Sequence, residues 1–186
     1  DEKGLTQIAV MPNFSYQENR FCYDWLIENG WEGKNQKIIC IHVRDSIFLN
    51  EFFKNSKQKD RDWAYHNYRD SNIDDFKDCI NWFLKKNYFV IRTGTFAKKK
   101  INIDSKNFVD YPFSANKNPL IDIWIFANCD LVITTGSGID EISSAYKIPS
   151  INVNYLPLSN SKSWTRSLTV PKHLYWKDTL KHLTFK

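Results

Sequence analysis

The sequence predicts a doubly wound α/β domain, a parallel sheet flanked by helices, and three observations carry that expectation. Short β-branched runs alternate with longer stretches whose apolar residues recur at helical spacing. The run Ile38-Ile39-Cys40-Ile41-His42-Val43-Arg44-Asp45-Ser46 is apolar, too short for an independent helix, and ends in a cation and a carboxylate. It reads as a buried strand with a charged tip. The run Leu131-Val132-Ile133-Thr134-Thr135-Gly136-Ser137-Gly138-Ile139-Asp140 repeats the design with a small, hydroxyl-rich turn that opens a helix. In an open α/β sheet, ligands bind outside the carboxyl ends of the strands. Both tips are therefore expected to face one pocket.

The elements follow in order. Ile8 to Pro12 is read as a short strand or an extended linker. Ser15 with Glu18 fits a capping box, and Phe21, Cys22, Trp25 and Leu26 line the helix behind it, which ends at Gly30. The first strand follows the polar turn Lys34 to Lys37. Residues 46–70 are charged and aromatic without periodicity, and part of this stretch is expected to fold over the ligand edge. Ser71 and Asp74 suggest a second capping box. Ile73, Phe76, Cys79, Ile80, Phe83 and Leu84 form the clearest apolar stripe of the chain. Tyr88 to Arg92 is the next strand, with Thr93-Gly94 at its tip, and strand–helix–strand implies a parallel, right-handed unit. Asn107 to Asp110 is a short strand. Asn118-Pro119 starts a helix with Leu120, Ile123, Trp124 and Ala127 on its inner face. Asp130 to Thr134 and Pro149 to Val153 are the remaining strands, separated by a helix with Ser137 and Asp140 at its start. The tail is expected to carry a strand near Leu174-Tyr175-Trp176 and a short closing helix.

A length of 186 residues with 42% apolar and 25% charged residues fits one globular domain over 1–186. Net charge is +5, with lysines clustered from Lys54 to Arg61 and at Lys98-Lys99-Lys100. These runs are read as solvated loops, against the alternatives of contact with an acidic membrane or a nucleic acid. No basic helix and no interleaving of aromatic with basic residues accompanies them, so nucleic acid is not an expected partner. The balance suits an anionic small substrate. Cys22, Cys40, Cys79 and Cys129 are widely spaced without a CxxC pair, so buried free thiols are expected rather than a zinc site or a disulfide framework. With no signal peptide and no run of about 18 apolar residues, the expected location is cytoplasmic, including a peripheral position at the inner membrane face. The chain begins at Asp1 rather than Met, which leaves open that it is part of a longer protein.

Arg44 is the foremost candidate, because a guanidinium presents a rigid fork that matches phosphate oxygens. The alternative is a structural ion pair with Asp45 or another carboxylate. His42, two residues back on the same face, contacts the ligand or braces Arg44. Thr134, Thr135, Gly136, Ser137 and Gly138 offer backbone N–H groups at a helix mouth, suited to a phosphate, against the alternative of an ordinary tight turn. Arg92 and Gly94 repeat the strand-tip logic as a further phosphate or base contact. Tyr68, Arg69 and Asp70, with His66 close by, are read as a lid or sugar contact, against the alternative of a surface loop. No GxGxxG, Walker or GxSxG pattern occurs, which disfavours dinucleotide oxidation, ATP hydrolysis and serine hydrolase chemistry. Asp60-Arg61-Asp62 spells a DxD, but in a lysine-rich loop with no strand before it, so no metal site is assigned.

At His42-Val43-Arg44-Asp45-Ser46, Tyr68-Arg69-Asp70-Ser71-Asn72-Ile73, Val90-Ile91-Arg92-Thr93-Gly94 and Thr135-Gly136-Ser137-Gly138, the sequence resembles a family of bacterial glycosyltransferases found with surface-polysaccharide genes. The resemblance runs from about Ser15 to Leu158. The His-x-Arg element is similar to that of fucosyltransferases of the GT-B class, in which the arginine matching Arg44 contacts the donor pyrophosphate. The Gly-Ser-Gly turn is similar to the donor-binding turn of heptosyltransferases. Many fucosyltransferases carry a second arginine where this chain has Asp45. The resemblance implies one Rossmann-like GT-B half that binds a nucleotide-diphosphate sugar as substrate, with no other cofactor, and a metal-independent transfer to a glycan acceptor. Asp45 and His66 are the candidate bases, with Arg44 stabilising the leaving group. An acceptor-binding domain or partner subunit is the implied complement. The rival expectation is a non-catalytic nucleotide-sugar or glycan-binding module of a larger assembly, and an enzyme similar to polysaccharide pyruvyltransferases is a third.

Overall fold

The computed structural model describes residues 11, 13–162 and 165–184. Strands β1 (Ile38–His42), β2 (Phe89–Arg92), β3 (Phe108–Asp110), β4 (Leu131–Thr134), β5 (Ser150–Tyr155) and β6 (Ser167–Pro171) form a six-stranded, all-parallel sheet. Its order is β3-β2-β1-β4-β5-β6, a Rossmann-like arrangement in which chain direction across the sheet reverses between β1 and β4. The helices are α1 (Tyr16–Glu28), α2 (Ile47–Phe53), α3 (Lys77–Lys85), α4 (Pro119–Asn128) and α5 (Asp140–Ala145).

Each helix on the sheet buries the side its sequence marks. The α1 cap is reciprocal: Ser15 Oγ accepts from Glu18 N at 3.2 Å, and the Glu18 carboxylate accepts from Ser15 N at 2.7 Å. Asn118 Oδ1 accepts from Leu120 N at 2.9 Å, with Pro119 in the first turn of α4. Alternate residues of β1 feed two cores. Ile38 and Cys40 meet Trp25 and Leu26 of α1 and Trp124 and Ile125 of α4 on one face. Ile39 and Ile41 meet Ile80 of α3, with Ile73 and Phe76, on the other. All four cysteines are free thiols, and burial pushes Cys22 up to about 12.

Several local expectations shift. The cap before α3 is Asn72, whose Oδ1 accepts from Asp74 N at 3.1 Å, while Ser71 Oγ accepts from Asn154. An Asn is as good a cap as a Ser, so sequence alone could not separate neighbours. The segment Ile73–Phe76 is a 3-10 turn ahead of α3. The 46–70 stretch is less irregular than its composition suggests, holding α2 and a 3-10 segment, Ala64–Arg69. Phe21 and Ile123 stay exposed at 44% and 42%. In the tail the strand is β6; Tyr175 and His182 form only an isolated antiparallel bridge, and no closing helix occurs among the described residues. Apart from Met11, the Ile8–Pro12 segment lies outside the described residues.

Arg92 is a structural residue. It is 1% exposed; its Nη1 donates to Asp110 Oδ1 at 3.2 Å and to the Lys99 carbonyl at 2.7 Å. Asp110 Oδ2 also accepts from Ile101 N at 3.0 Å, so the pair ties β2, β3 and the 99–101 loop together. Its Nη1 is spent on protein, unlike the expected phosphate contact. Asp110→Ala leaves a buried guanidinium without its carboxylate and is expected to cost about 3–5 kcal/mol, read as a fall in the urea midpoint with an unchanged slope.

Candidate functional site

The reversal between β1 and β4 sets the site. His42 pairs with Thr134 across the two strands. Beyond that pair the tips are stitched together: Thr135 N donates to the His42 carbonyl at 3.2 Å, and Arg44 N donates to Thr135 Oγ1 at 2.9 Å. The 3-10 segment Ala64–Arg69 folds onto this junction, where Arg69 Nη2 donates to the Gly136 carbonyl at 3.1 Å. Ser71 N donates to the Arg44 carbonyl at 3.0 Å. From beyond β6, Lys172 Nζ donates to the carbonyls of Tyr68 and Asp70 at 3.0 and 2.6 Å. The tips of β1 and β4 and the 64–71 segment are thus one constellation.

Buried polar atoms without a hydrogen-bond partner gather here. Among the described residues they include His42 Nδ1, Arg44 Nε, His66 Nδ1, Arg69 Nε and Asp70 Oδ1, leaving Gln36 and Asn107 elsewhere. Such atoms are expensive in a folded protein and mark places where a ligand group supplies the missing bond. Arg44 Nε lies 3.4 Å from Asp70 Oδ1, an ion pair rather than a hydrogen bond, and the carboxylate partner is Asp70 instead of Asp45. Burial pushes the Arg44 pKa down, and the positive charge of Arg69 pushes the same way. Burial also lowers His66, followed by the charges of Arg44, Arg69 and Arg61. Asp70 is raised by burial, against the pull of Arg44. His42 is lowered by burial, with Asp140 opposing, and its ring meets Phe126 edge-on. The local field is therefore positive and poorly solvated.

A cleft of about 540 Å³ opens next to the β1 tip, toward β2, with Asp45, Asp70, Ser71, Asn72, Arg92 and Lys98 in its wall; Arg44 and Arg69 adjoin it through Asp70 and its neighbours rather than lining it. The glycine turn stands on the β4 side of Arg44, outside that lining. Its donors are used internally. Gly136 N donates to Thr134 Oγ1 at 3.2 Å, while Ser137 N and Oγ donate to Asp140 Oδ1 at 2.7 and 2.9 Å. The expectation of open N–H groups from Thr134 to Gly138 is thus corrected at Thr135, Gly136 and Ser137, whose N–H groups bond the His42 carbonyl, Thr134 Oγ1 and the Asp140 carboxylate. Gly136 is needed for packing, since its φ is +83° and a Cβ would stand 2.8 Å from the Tyr155 ring. Gly138 has open space around it. Asp45 also has both oxygens engaged, by Ile47 N at 3.1 Å and Lys98 N at 2.8 Å, so it anchors loops. Tyr68 is half exposed at the rim. Among the described residues, no group of three or more His, Cys, Asp or Glu has the placement to hold a metal ion.

Two residues at the site escaped sequence reading: Lys172 gave no local signal, and Asp122 sat inside an apolar stripe. Asp70 was readable with Tyr68 and Arg69 as a lid or sugar contact, but not its pairing with Arg44. Asp122 accepts from Gly94 N at 3.4 Å and fixes the β2 tip, where Gly94 has φ +136°. None of the family models, curated proteins or solved structures compared with the chain matches it.

Burial raises Asp122 to about 6, with the Gly94 N–H opposing. A carboxyl raised above its unfolded value makes the native state hold more protons, so stability falls as pH rises from about 4 through 6. Asp122→Asn keeps an acceptor for Gly94 and removes the charge. It is expected to stabilise the protein at pH 7.5 by up to about 3 kcal/mol, with the gain shrinking toward zero as pH is lowered to about 3. Thermal melts across that pH range check it.

Proposed function

We propose that the carboxyl edge of the sheet binds a nucleoside-diphosphate sugar and that the protein is a glycosyltransferase acting on a glycan acceptor. The observation that supports this reading is the convergence of Arg44 and Arg69, each with a buried Nε that no protein group accepts from, beside His66 Nδ1 at the strand-order reversal. Two guanidiniums in poor solvent repel each other, and one Asp70 carboxylate offsets only part of their charge. A diphosphate supplies the remaining negative charge and accepts from both forks. The resemblance at His42-Val43-Arg44 points to the same donor class.

In this reading the sugar C1–O bond to the diphosphate breaks and the leaving nucleotide keeps the electron pair. Arg44 and Arg69 stabilise the charge that develops there. The acceptor oxygen forms the new bond to C1 and its proton passes to Asp70. That residue replaces Asp45 and His66 as the base, because both Asp45 oxygens already accept N–H bonds, and burial followed by the neighbouring arginines lowers His66. Asp70 lines the cleft, its Oδ1 accepts no hydrogen bond, and burial raises it against the pull of Arg44. A non-catalytic nucleotide-sugar binder within a larger assembly is the second reading. It is favoured by the open apolar face of β6, where Leu168 is 61% and Val170 43% exposed.

Calorimetry with GDP, UDP and ADP and their sugars is the direct test. Binding of one nucleotide is expected, weakened about 10- to 100-fold by Arg44→Ala and by Arg69→Ala, the worth of a charge-assisted hydrogen bond. Equal binding by wild type and Arg44→Ala overturns the reading. Nucleotide binding without release of nucleoside diphosphate in the presence of glycan acceptors selects the second.

A further inference from the structure

We propose that the face formed by α2 and the 96–100 loop docks on an anionic lipid bilayer. Helix α2 reads Ile47-Phe48-Leu49-Asn50-Glu51-Phe52-Phe53, and none of its apolar side chains is buried. Phe52 is 61% and Phe48 38% exposed, while Ile47, Leu49, Phe53, Trp63 and Phe96 are half-buried. The rings of α2 continue into a row: Phe96 to Phe48 at 6.3 Å, Phe48 to Phe52 at 5.4 Å, Phe52 to Phe53 at 5.1 Å and Phe53 to Trp63 at 4.9 Å. A soluble surface seldom carries so continuous an aromatic patch without a partner.

The charges around the patch choose the partner. Lys54, Lys57 and Lys59, on the chain between Phe53 and Trp63, and Lys98, Lys99 and Lys100, on the loop after Phe96, are all exposed. Among the described residues only Lys54, with Glu51, and Lys99, with Asp74, have a carboxylate within ion-pair distance. Arg61 lies 4.5 Å over the Trp63 ring. Lys54, Lys57, Lys59 and Arg61 follow α2 directly along the chain, with Asp60 and Asp62 among them, and folding adds the Lys98–Lys100 loop. Apolar rings ringed by lysines match the acyl boundary and headgroups of an anionic leaflet. A glycan fits less well, because the Phe48–Phe52 and Phe53–Trp63 pairs stack within 17° and 20° of parallel and cover each other's faces. No helix among the described residues is long and apolar enough to cross a membrane, so the contact is interfacial. Asp45 binds the start of α2 and the 98 loop through its two oxygens, which fixes this face to the rim of the cleft.

The proposal stands without the transferase reading, since it is tested with no nucleotide present. The full chain is floated with vesicles of phosphatidylcholine carrying about one third phosphatidylglycerol, and with phosphatidylcholine alone. Binding to the anionic vesicles is expected, at least about tenfold weaker on neutral ones, and reduced about tenfold by Phe52→Glu and by the pair Lys98→Ser, Lys100→Ser. Leu168→Ser, at the opposite exposed edge, leaves it unchanged. Thermal melts of the variants establish that each is folded. Absence of wild-type flotation with anionic vesicles overturns the proposal, as does undiminished binding by both folded variants. A wild-type dimer in sedimentation that Phe52→Glu disperses also overturns it, and assigns the patch to a second copy.

Discussion

The pairing of the β1 and β4 tips is the constraint from which the site follows. A parallel sheet that reverses its winding leaves one place where two adjacent strands send their chains to opposite faces. Here the gap is closed by two backbone-anchored bonds, Thr135 N to His42 O and Arg44 N to Thr135 Oγ1. They fix the backbone of Arg44 before any side chain is considered. A guanidinium on an unsupported loop would pay conformational entropy each time it met a ligand; one held at a strand tip has paid it on folding.

Charge around that tip is balanced at two levels. The glycine turn is neutralised from within by Asp140, whose carboxylate takes Ser137 N and Oγ and the Thr134 hydroxyl. The arginine pair beside it is left partly unbalanced. The same anion-binding principle is thus satisfied by the protein's own carboxylate on the β4 side and incompletely on the β1 side. That asymmetry turns attention from the turn to Arg44, Arg69 and Asp70.

Sheet class and most elements were legible because the two cores need unbroken apolar strands and one-sided helices, and both leave a periodic trace. β6 was not legible: Ser167-Leu168-Thr169-Val170-Pro171 is a half-exposed edge strand, so no buried run marks it. Arg44 and Thr135 were readable as strand tips. Their mutual bond, Asp70's unpaired oxygen and the reach of Lys172 depend on residues up to 104 positions apart, and no local pattern encodes such distances. The Lys98–Lys100 run and the aromatics of the 46–70 stretch looked separate for the same reason, until Asp45 joined their loops.

Arg44 and Arg92 make the limit concrete. Both follow an apolar strand, both are cations at a carboxyl end, and local sequence treats them alike. What separates them is the next strand over. β2 pairs with β3, placing Asp110 opposite Arg92, and the carboxylate consumes it. β1 pairs with β4, whose tip offers Arg44 a hydroxyl for its backbone and no carboxylate in register for its side chain. Asp70 approaches from the 64–71 segment instead, at a distance that attracts without forming a hydrogen bond. What a strand-tip arginine meets is thus set by what its neighbouring strand presents: a carboxylate in register for Arg92, and for Arg44 only the backbone anchor at Thr135, with its Nε left to an ion pair with Asp70.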